Sequence, residues 1–159
     1  WHADDELRWI VAAISDTGCR MAEIVGLSKT DVRLDGDIPF ISIKPRPWRR
    51  LKTVSSERDI PLVGSVLWGI TRAYQSTNSE MLFPRYNDGV STNSNSASAA
   101  LSKWLKQQTN PDCTMHSFRH SFRDRLRAVE CPIELTDAVG GWSTDGIGAA
   151  YGQGYSLQL

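Results

Sequence analysis

The segment from Met115 to Val129 constrains the fold of this sequence most, because its pattern is that of an amphipathic helix. Apolar side chains recur along it at spacings of three and four residues, which places them on one helical face. At about 100° per residue, the basic side chains fall together on the neighbouring face. The helix must therefore bury one stripe and present a cationic stripe beside it. The apolar stripe consists of Met115, Phe118, Phe122, Leu126 and Val129, and the cationic stripe of His116, Arg119, His120, Arg123 and Arg127.

The rest of the sequence predicts more helices and one small sheet. Acidic caps at Asp4 and Asp5 precede a helical pattern that Gly18 ends. Alternating β-formers, with proline and serine in the turns, predict an antiparallel sheet over residues 38–62. The fold class is therefore α+β, a mostly helical domain with a small antiparallel sheet inserted near its N-terminal third. Further predictions are helices over 20–25, 66–74, 99–106 and 132–140, a loop over 87–98, strands over 40–44 and 54–62, and a last short helix up to Tyr151.

The composition fits one domain that acts away from membranes. The chain has 159 residues, of which 40% are hydrophobic, and this is enough for a core. Its longest apolar run, Trp9 to Ile14, is too short to cross a bilayer, and no signal-peptide pattern opens the chain. The three cysteines, Cys19, Cys113 and Cys131, include no CxxC pair, so we expect reduced thiols in a cytosolic compartment.

The net charge is zero, but the charges are segregated along the chain. Residues 1–37 hold four basic and eight acidic side chains. Residues 44–58 hold six basic side chains and one acidic one, and residues 103–127 hold six basic and two acidic side chains. Two basic blocks in a neutral protein favour a face built for an anion. The alternative is two separate solvated surfaces, and charge alone does not decide between them.

Within the cationic stripe, His116 and Arg119 form the unit with the most specific chemistry. Their i, i+3 spacing puts an imidazole and a guanidinium within reach of one group, and this combination suits a phosphate. The alternative is a pair of solvated surface residues. A zinc enzyme is a further alternative, because Cys113, His116 and His120 have the spacing C-x2-H-x3-H. The stretch lacks the glutamate of HExxH, however, and Arg119 would repel a dication.

Five motifs occur in a fixed order along the chain. They are the stretch T-G-C-R-M-A-E-I-V-G-L from Thr17, Lys52 followed by Arg58-Asp59-Ile60-Pro61-Leu62, the stretch His116-Ser117-Phe118-Arg119-His120, the unit Gly140-Gly141-Trp142-Ser143, and Tyr151 nine residues after Trp142. In this order the motifs resemble those of the tyrosine recombinase catalytic domain, in the phage integrase family. The resemblance extends from Thr17 to Tyr151.

The resemblance implies a site-specific DNA recombinase, an integrase, that cleaves and rejoins DNA through a covalent 3′-phosphotyrosine. Such an enzyme needs no metal, ATP or other cofactor, because fixed cationic donors stabilise the charge on the phosphate in the transition state. The implied catalytic residues are Tyr151 as nucleophile, Arg20, His116, Arg119 and the indole N–H of Trp142 around the phosphate, and Lys52 as the acid that protonates the leaving oxygen.

Other residues take supporting roles under the same resemblance. Glu23 would orient Arg20, and His120 is expected to be buried and hydrogen-bonded. Three alternatives stay open: Tyr155 as nucleophile, Lys44 as general acid, and Trp142 as a core-filling residue. Contacts with DNA are predicted for Lys44, Arg49, Arg50 and Arg123.

The resemblance also implies partners and a place of action. Residues 1–159 are expected to be the catalytic domain alone, without the family's N-terminal DNA-gripping domain, and to be monomeric in isolation. The expected partner is double-stranded DNA, on which the full-length protein would form a homo-oligomer, a tetramer, in the cytoplasm of a bacterial cell or phage-infected host. No membrane partner is expected. The alternative functions are strand transfer like that of a type IB topoisomerase and a catalytically decayed DNA-binding remnant.

Overall fold

The computed structural model describes residues 4–53, 56–108 and 112–142. Within these ranges the chain forms helices and one antiparallel sheet, so the predicted α+β class is confirmed. In chain order the α-helices and strands are α1 (Glu6–Thr17), α2 (Met21–Val25), β1 (Val32–Arg33), β2 (Phe40–Ile43), β3 (Arg58–Pro61), α3 (Ser65–Ser76), α4 (Ser94–Gln108), α5 (Met115–Ala128) and α6 (Ile133–Gly140), with a 3-10 helix over Lys29–Asp31 before β1.

Helix α1 packs against α2, α3 and α5, and its two ends follow from the sequence. The Asp5 carboxylate accepts the backbone N–H of Arg8 at 3.0 Å and so caps the first turn. At the other end Gly18 takes φ +62°, and its N–H donates to the Ile14 carbonyl at 2.9 Å. Both predicted boundaries are confirmed. The end at Gly18 matters for function, because the chain turns there directly into Arg20.

The sheet has the strand order β1-β2-β3, with antiparallel pairing throughout. Ile41 of β2 lies opposite Val32 of β1 and opposite Ile60 of β3. These three side chains are buried, together with Ile43, and they join the sheet to the helical core. The loop that follows β2, described over residues 44–53 and 56–57, carries most of the first basic block.

The structure corrects several predicted boundaries. Helix α4 begins at Ser94 rather than Ala99, because the Asn93 side chain accepts the backbone N–H of Ser96 at 3.0 Å and starts the helix early. Helix α5 ends at Ala128, and Val129, predicted to lie in the apolar stripe, is 73% exposed. The predicted end of α6 at Gly140 is confirmed, with Gly141 in the left-handed region. The predicted last helix up to Tyr151 lies outside the described residues. Each described helix is too short or too polar to span a membrane.

Replacing Gly18 with alanine is expected to lower the free energy of unfolding by about 2 to 4 kcal/mol. A Cβ atom there would lie 2.6 Å from Cδ1 of Phe122, in addition to the cost of φ +62° for an L side chain. The measurement is urea unfolding followed by circular dichroism. Gly89→Ala is the matched control, because Gly89 has φ +84° but its nearest neighbour is Met81 Cε at 3.7 Å. Equal losses for both variants would contradict the clash with Phe122.

Candidate active site

Arg20 is placed by the turn between α1 and α2, where it is the N-cap residue of α2. Its Nη1 donates to Glu23 Oε1 at 2.6 Å and to Ser56 Oγ at 2.9 Å. Its backbone N–H donates to Glu23 Oε2 at 3.0 Å, so one carboxylate holds both the backbone and the side chain of Arg20. The Arg20 side chain remains 27% exposed, which leaves part of the guanidinium available to a ligand.

Arg119 approaches the same place from the second turn of α5. It is only 6% exposed, and its Nη1 donates to the carbonyl of Gly18 at the end of α1. Burial lowers the pKa of Arg119, and the charge of Arg20 lowers it further, to about 10. Arg119 therefore still carries its charge at neutral pH, held close to a second guanidinium with room for an anion beside them.

One cavity joins these two arginines with His116. Its volume is about 190 Å³, and Arg20, His116 and Arg119 line it together with apolar side chains of α1, α2 and α5. His116 itself is exposed at the mouth of the cavity. The structure thus brings together three of the predicted phosphate-binding residues from α5 and the turn before α2. Two guanidinium forks and an imidazole at one opening form a site for a phosphate-like anion.

Trp142 follows the end of α6 and covers Arg119. The guanidinium carbon of Arg119 lies 4.3 Å from the indole ring centroid, and that of Arg123 lies 4.9 Å from it. Arg123 is in turn paired with the buried carboxylate of Asp137 at 3.1 Å. The indole therefore stacks on one residue of the cavity, while Arg123, a predicted DNA contact, is engaged in holding it.

Lys52 is exposed on the loop that precedes β3. Two residues of that loop connect it to the cavity: Thr53 Oγ1 lies 2.9 Å from Ser56 Oγ, which is the hydroxyl that Arg20 contacts. The loop is thereby tied to Arg20, although the ammonium group of Lys52 is not among the cavity-lining groups. The predicted nucleophile Tyr151 and its alternative Tyr155 lie outside the described residues.

Glu23 is buried, and it lies between two guanidiniums rather than one. Arg20 contacts its Oε1, and Arg58 Nη2 donates to its Oε2 at 3.1 Å. Burial raises the pKa of Glu23, but the charges and hydrogen bonds of Arg58 and Arg20 outweigh burial and leave the pKa below its ordinary value. The sequence predicted the contact with Arg20. Arg58 and Ser56 were missed, and the only signal for Arg58 was its place in the Arg58-Asp59-Ile60-Pro61-Leu62 motif.

Two residue predictions are wrong in the structure. His120 was expected to be buried, but it lies exposed on α5, with its ring edge-on to His116 at a centroid distance of 4.6 Å. Arg49 was expected to contact DNA, but its side chain is 0% exposed. Its guanidinium donates to the Lys44 and Gly26 carbonyls at 2.7 and 3.1 Å and pairs with Asp31 at 3.2 Å. The guanidinium therefore has no accessible surface that DNA could contact.

The first basic block therefore splits into two groups. Arg46 and Arg49 share the buried carboxylate of Asp31, and Arg58 is paired with Glu23. Lys44, Arg50 and Lys52 are exposed. The predictions that Lys44 and Arg50 contact DNA therefore stay predictions, on side chains that are accessible.

The zinc site predicted as an alternative is not present in the described part of the chain. Among those residues no three His, Cys, Asp or Glu side chains come close enough together to hold a metal ion. Cys113, His116 and His120 are all described, and they do not form such a group.

Comparison with known proteins adds to this geometry. The model of the phage integrase family matches residues 3–155. The chain belongs to the phage integrase family. No curated protein sequence matches this family member significantly.

Solved structures share its fold. They include the Tn1549 transposon integrase in complex with transposon right end DNA, with a TM-score of 0.64 and 19% identity over 86% of this chain and 50% of that one. XerH site-specific recombinase bound to difH substrate has a TM-score of 0.64 and 18% identity over 91% and 42% of the two chains. XerA recombinase has a TM-score of 0.62 and 16% identity over 91% of this chain and 55% of that one. This phage integrase family chain thus spans about half the length of the solved structures it matches.

The lowered pKa of Glu23 predicts how this phage integrase family domain responds to acid. A carboxylate with a depressed pKa stabilises the fold above its ordinary pKa of 4.5, and this stabilisation is lost as the pH falls through the folded-state value. We expect Glu23→Gln to lower the free energy of unfolding by about 2 kcal/mol at pH 7. The difference from wild type should shrink below pH 4.5. Urea unfolding at pH 7, 5, 4 and 3 measures it, and a pH-independent difference would contradict a charged Glu23.

Proposed function

We propose that this domain is a site-specific DNA recombinase, an integrase that breaks and rejoins DNA through a 3′-phosphotyrosine. The observation that carries the proposal is that Arg20, His116 and Arg119 line one cavity in a chain of the phage integrase family. A dense cationic cavity next to an exposed lysine loop fits a phosphodiester, whose transition state carries two negative charges on its non-bridging oxygens.

In this proposal the two guanidiniums hold the non-bridging oxygens of the scissile phosphate. Arg119 is fixed by the Gly18 carbonyl and by the indole of Trp142, and Arg20 is fixed by Glu23 and Ser56. Both arginines are positioned before DNA arrives, so little reorganisation is required in the transition state. His116, at the mouth, donates a further hydrogen bond.

The proposed reaction exchanges one phosphodiester for another. The Tyr151 oxygen attacks the phosphorus and the bond to the 5′ oxygen breaks, which leaves a 3′-phosphotyrosine and a free 5′ hydroxyl. His116 assists removal of the Tyr151 proton, and Lys52 supplies a proton to the 5′ oxygen. The reverse reaction, with a different 5′ hydroxyl, rejoins the strand. The bond energy is conserved, so no ATP is needed, and the two guanidiniums stabilise the charge for which other enzymes use a metal.

The proposed substrate is double-stranded DNA, and the proposed place of action is the cytoplasm. Lys44 and Arg50 are exposed on the same loop as Lys52 and are the proposed contacts with the DNA backbone. The full-length protein would act as a tetramer on paired sites, while this domain alone would be a monomer.

The test is a search for covalent adducts in a pool of duplexes with a random central sequence and a nick near it. The short strand that cleavage releases diffuses away, so the broken strand cannot be rejoined and the adduct accumulates. Denaturing electrophoresis separates the adduct, and sequencing of the attached DNA identifies the cleaved site. We expect adducts in EDTA without ATP, through a phosphotyrosine detected by mass spectrometry. Absence of adducts, or adducts that require a divalent metal, would overturn the proposal.

A further inference from the structure

Arg58 lies beside the cavity and donates hydrogen bonds to four different residues, and the proposed function gives it no role. Its side chain is 7% exposed, and it sits behind Glu23 as seen from Arg20. Nη2 donates to Glu23 Oε2 at 3.1 Å and to the Cys19 sulfur at 3.2 Å. Arg58 therefore meets the carboxylate oxygen that the Arg20 guanidinium does not contact.

The other nitrogens of Arg58 reach two further segments. Nη1 donates to the Ser56 carbonyl at 2.6 Å, on the loop that carries Lys52. Nε donates to the Val139 carbonyl at 2.7 Å, in the last turn of α6, three residues before Trp142. The guanidinium also packs on Gly141, where a Cβ atom would lie 2.5 Å from Nη1. Three segments that bear predicted catalytic residues are thus joined at one side chain.

We propose that Arg58 is a positioning residue, which orients Arg20 through Glu23 and fixes the Lys52 loop and the end of α6 relative to it. The proposal rests on the proposed function, because it concerns the same phosphate site. Arg58 does not line the cavity, so it acts through its neighbours and not by touching the anion. Lysine cannot replace it, since one ammonium cannot align with a carboxylate and two carbonyls in the directions of a fork.

The direction in which Glu23→Gln changes the affinity for an anion separates an effect of position from an effect of charge. Glu23→Gln removes a negative charge near the cavity, and by Coulomb's law alone it should strengthen anion binding. If Glu23 instead transmits the position of Arg58 to Arg20, the same substitution weakens anion binding. Arg58→Lys keeps the charge and changes only the geometry.

The experiment measures the affinity of inorganic sulfate for the full chain, from the shift of the Arg20 side-chain Nε–H signal in NMR titrations. We expect Arg58→Lys and Glu23→Gln each to weaken sulfate binding roughly tenfold, the size expected for one lost charge-assisted hydrogen bond. The two effects should not add, so Arg58→Lys should change little in the Glu23→Gln background.

Arg49→Lys is the matched control. Arg49 is also buried and binds backbone carbonyls and one carboxylate. It reaches the backbone carbonyl of Glu23 at 3.3 Å but not the Glu23 carboxylate, and it lies outside the cavity. It should lose stability but keep its sulfate affinity. Equal weakening in Arg49→Lys and Arg58→Lys, or stronger binding in Glu23→Gln, would overturn the positioning role. Where circular dichroism shows that Arg58→Lys does not fold, unchanged or stronger sulfate binding in Glu23→Gln still overturns the proposal, because Arg58 acts on Arg20 through Glu23.

Adduct formation by the wild-type chain keeps this test separate from that of the proposed function. A chain that forms no adducts but follows the predicted order of sulfate affinities would overturn the recombinase reaction and leave Arg58 as the positioning residue of an anion site. If the wild-type chain forms adducts but Arg58→Lys binds sulfate as tightly as the wild type, the recombinase reaction stands and the positioning role of Arg58 is overturned.

Discussion

Replacing Tyr151 with phenylalanine is expected to abolish covalent attachment of the protein to DNA while leaving DNA binding unchanged. Phenylalanine keeps the ring but has no oxygen to attack phosphorus, so no phosphotyrosine can form. The cationic residues that would bind the phosphate are untouched. The measurement pairs the adduct assay in EDTA with a mobility-shift titration of the same duplexes.

Tyr155→Phe is the control for this experiment, because Tyr155 is the other tyrosine close to the predicted position. It should form adducts at the wild-type rate. Adducts that persist in Tyr151→Phe and disappear in Tyr155→Phe would move the nucleophile to Tyr155. Loss of adducts in both variants would show that the segment, and not one oxygen, is required.

Replacing Arg119 with alanine should lower the rate of adduct formation by about 10²- to 10³-fold, the usual loss for one transition-state donor. It should also weaken sulfate binding, since Arg119 lines the cavity and carries its charge there. The variant also uncouples Trp142, which stacks on Arg119 at 4.3 Å, so the effect should be at the upper end of this range. Single-turnover rates with a saturating pool of substrate measure it.

Arg127→Ala is the matched control for Arg119→Ala. Both residues lie on α5, but Arg127 is exposed and its partner is the exposed Asp124. Its removal should leave the cleavage rate within about twofold, as for most exposed ion pairs. A comparable loss in both variants would mean that the helix charge as a whole, and not the group in the cavity, drives cleavage.

The sequence predicted the elements with a strong local pattern and missed those defined by distant partners. Helix α5 was predicted because its apolar period repeats over four turns. Strand β1 has only Val32 and Arg33, too few residues to show alternation, and it exists because it pairs with β2. Helix α4 starts within Ser94-Asn95-Ser96, which has weak helix propensity, because Asn93 caps it and Leu101 and Leu105 anchor it in the core.

The site shows the same division. The spacing of His116 and Arg119 placed them on one helix turn, but only the resemblance connected them with Arg20, which lies far away in the sequence. Counting charges gave a basic block at residues 44–58 and could not tell which arginines are neutralised. Arg49 is buried because of Asp31, whose carboxylate no local pattern links to it. Burial of a paired charge depends on tertiary structure. The exposure of His120 likewise depends on which face of α5 the other helices cover, and its position in the sequence does not show this.

The buried Arg49 also determines when residues 44–49, which follow β2, become ordered. Besides the bonds of Arg49, the Trp48 indole donates to the Gly26 carbonyl at 3.0 Å, and the Thr92 hydroxyl donates to the Trp48 carbonyl at 2.7 Å. These contacts lie inside the protein and need no ligand. The backbone of residues 44–49 thus gives up its conformational entropy when the chain folds, and not when a duplex binds. For the proposed DNA contacts at Lys44 and Arg50, association then requires ordering of little more than two side chains.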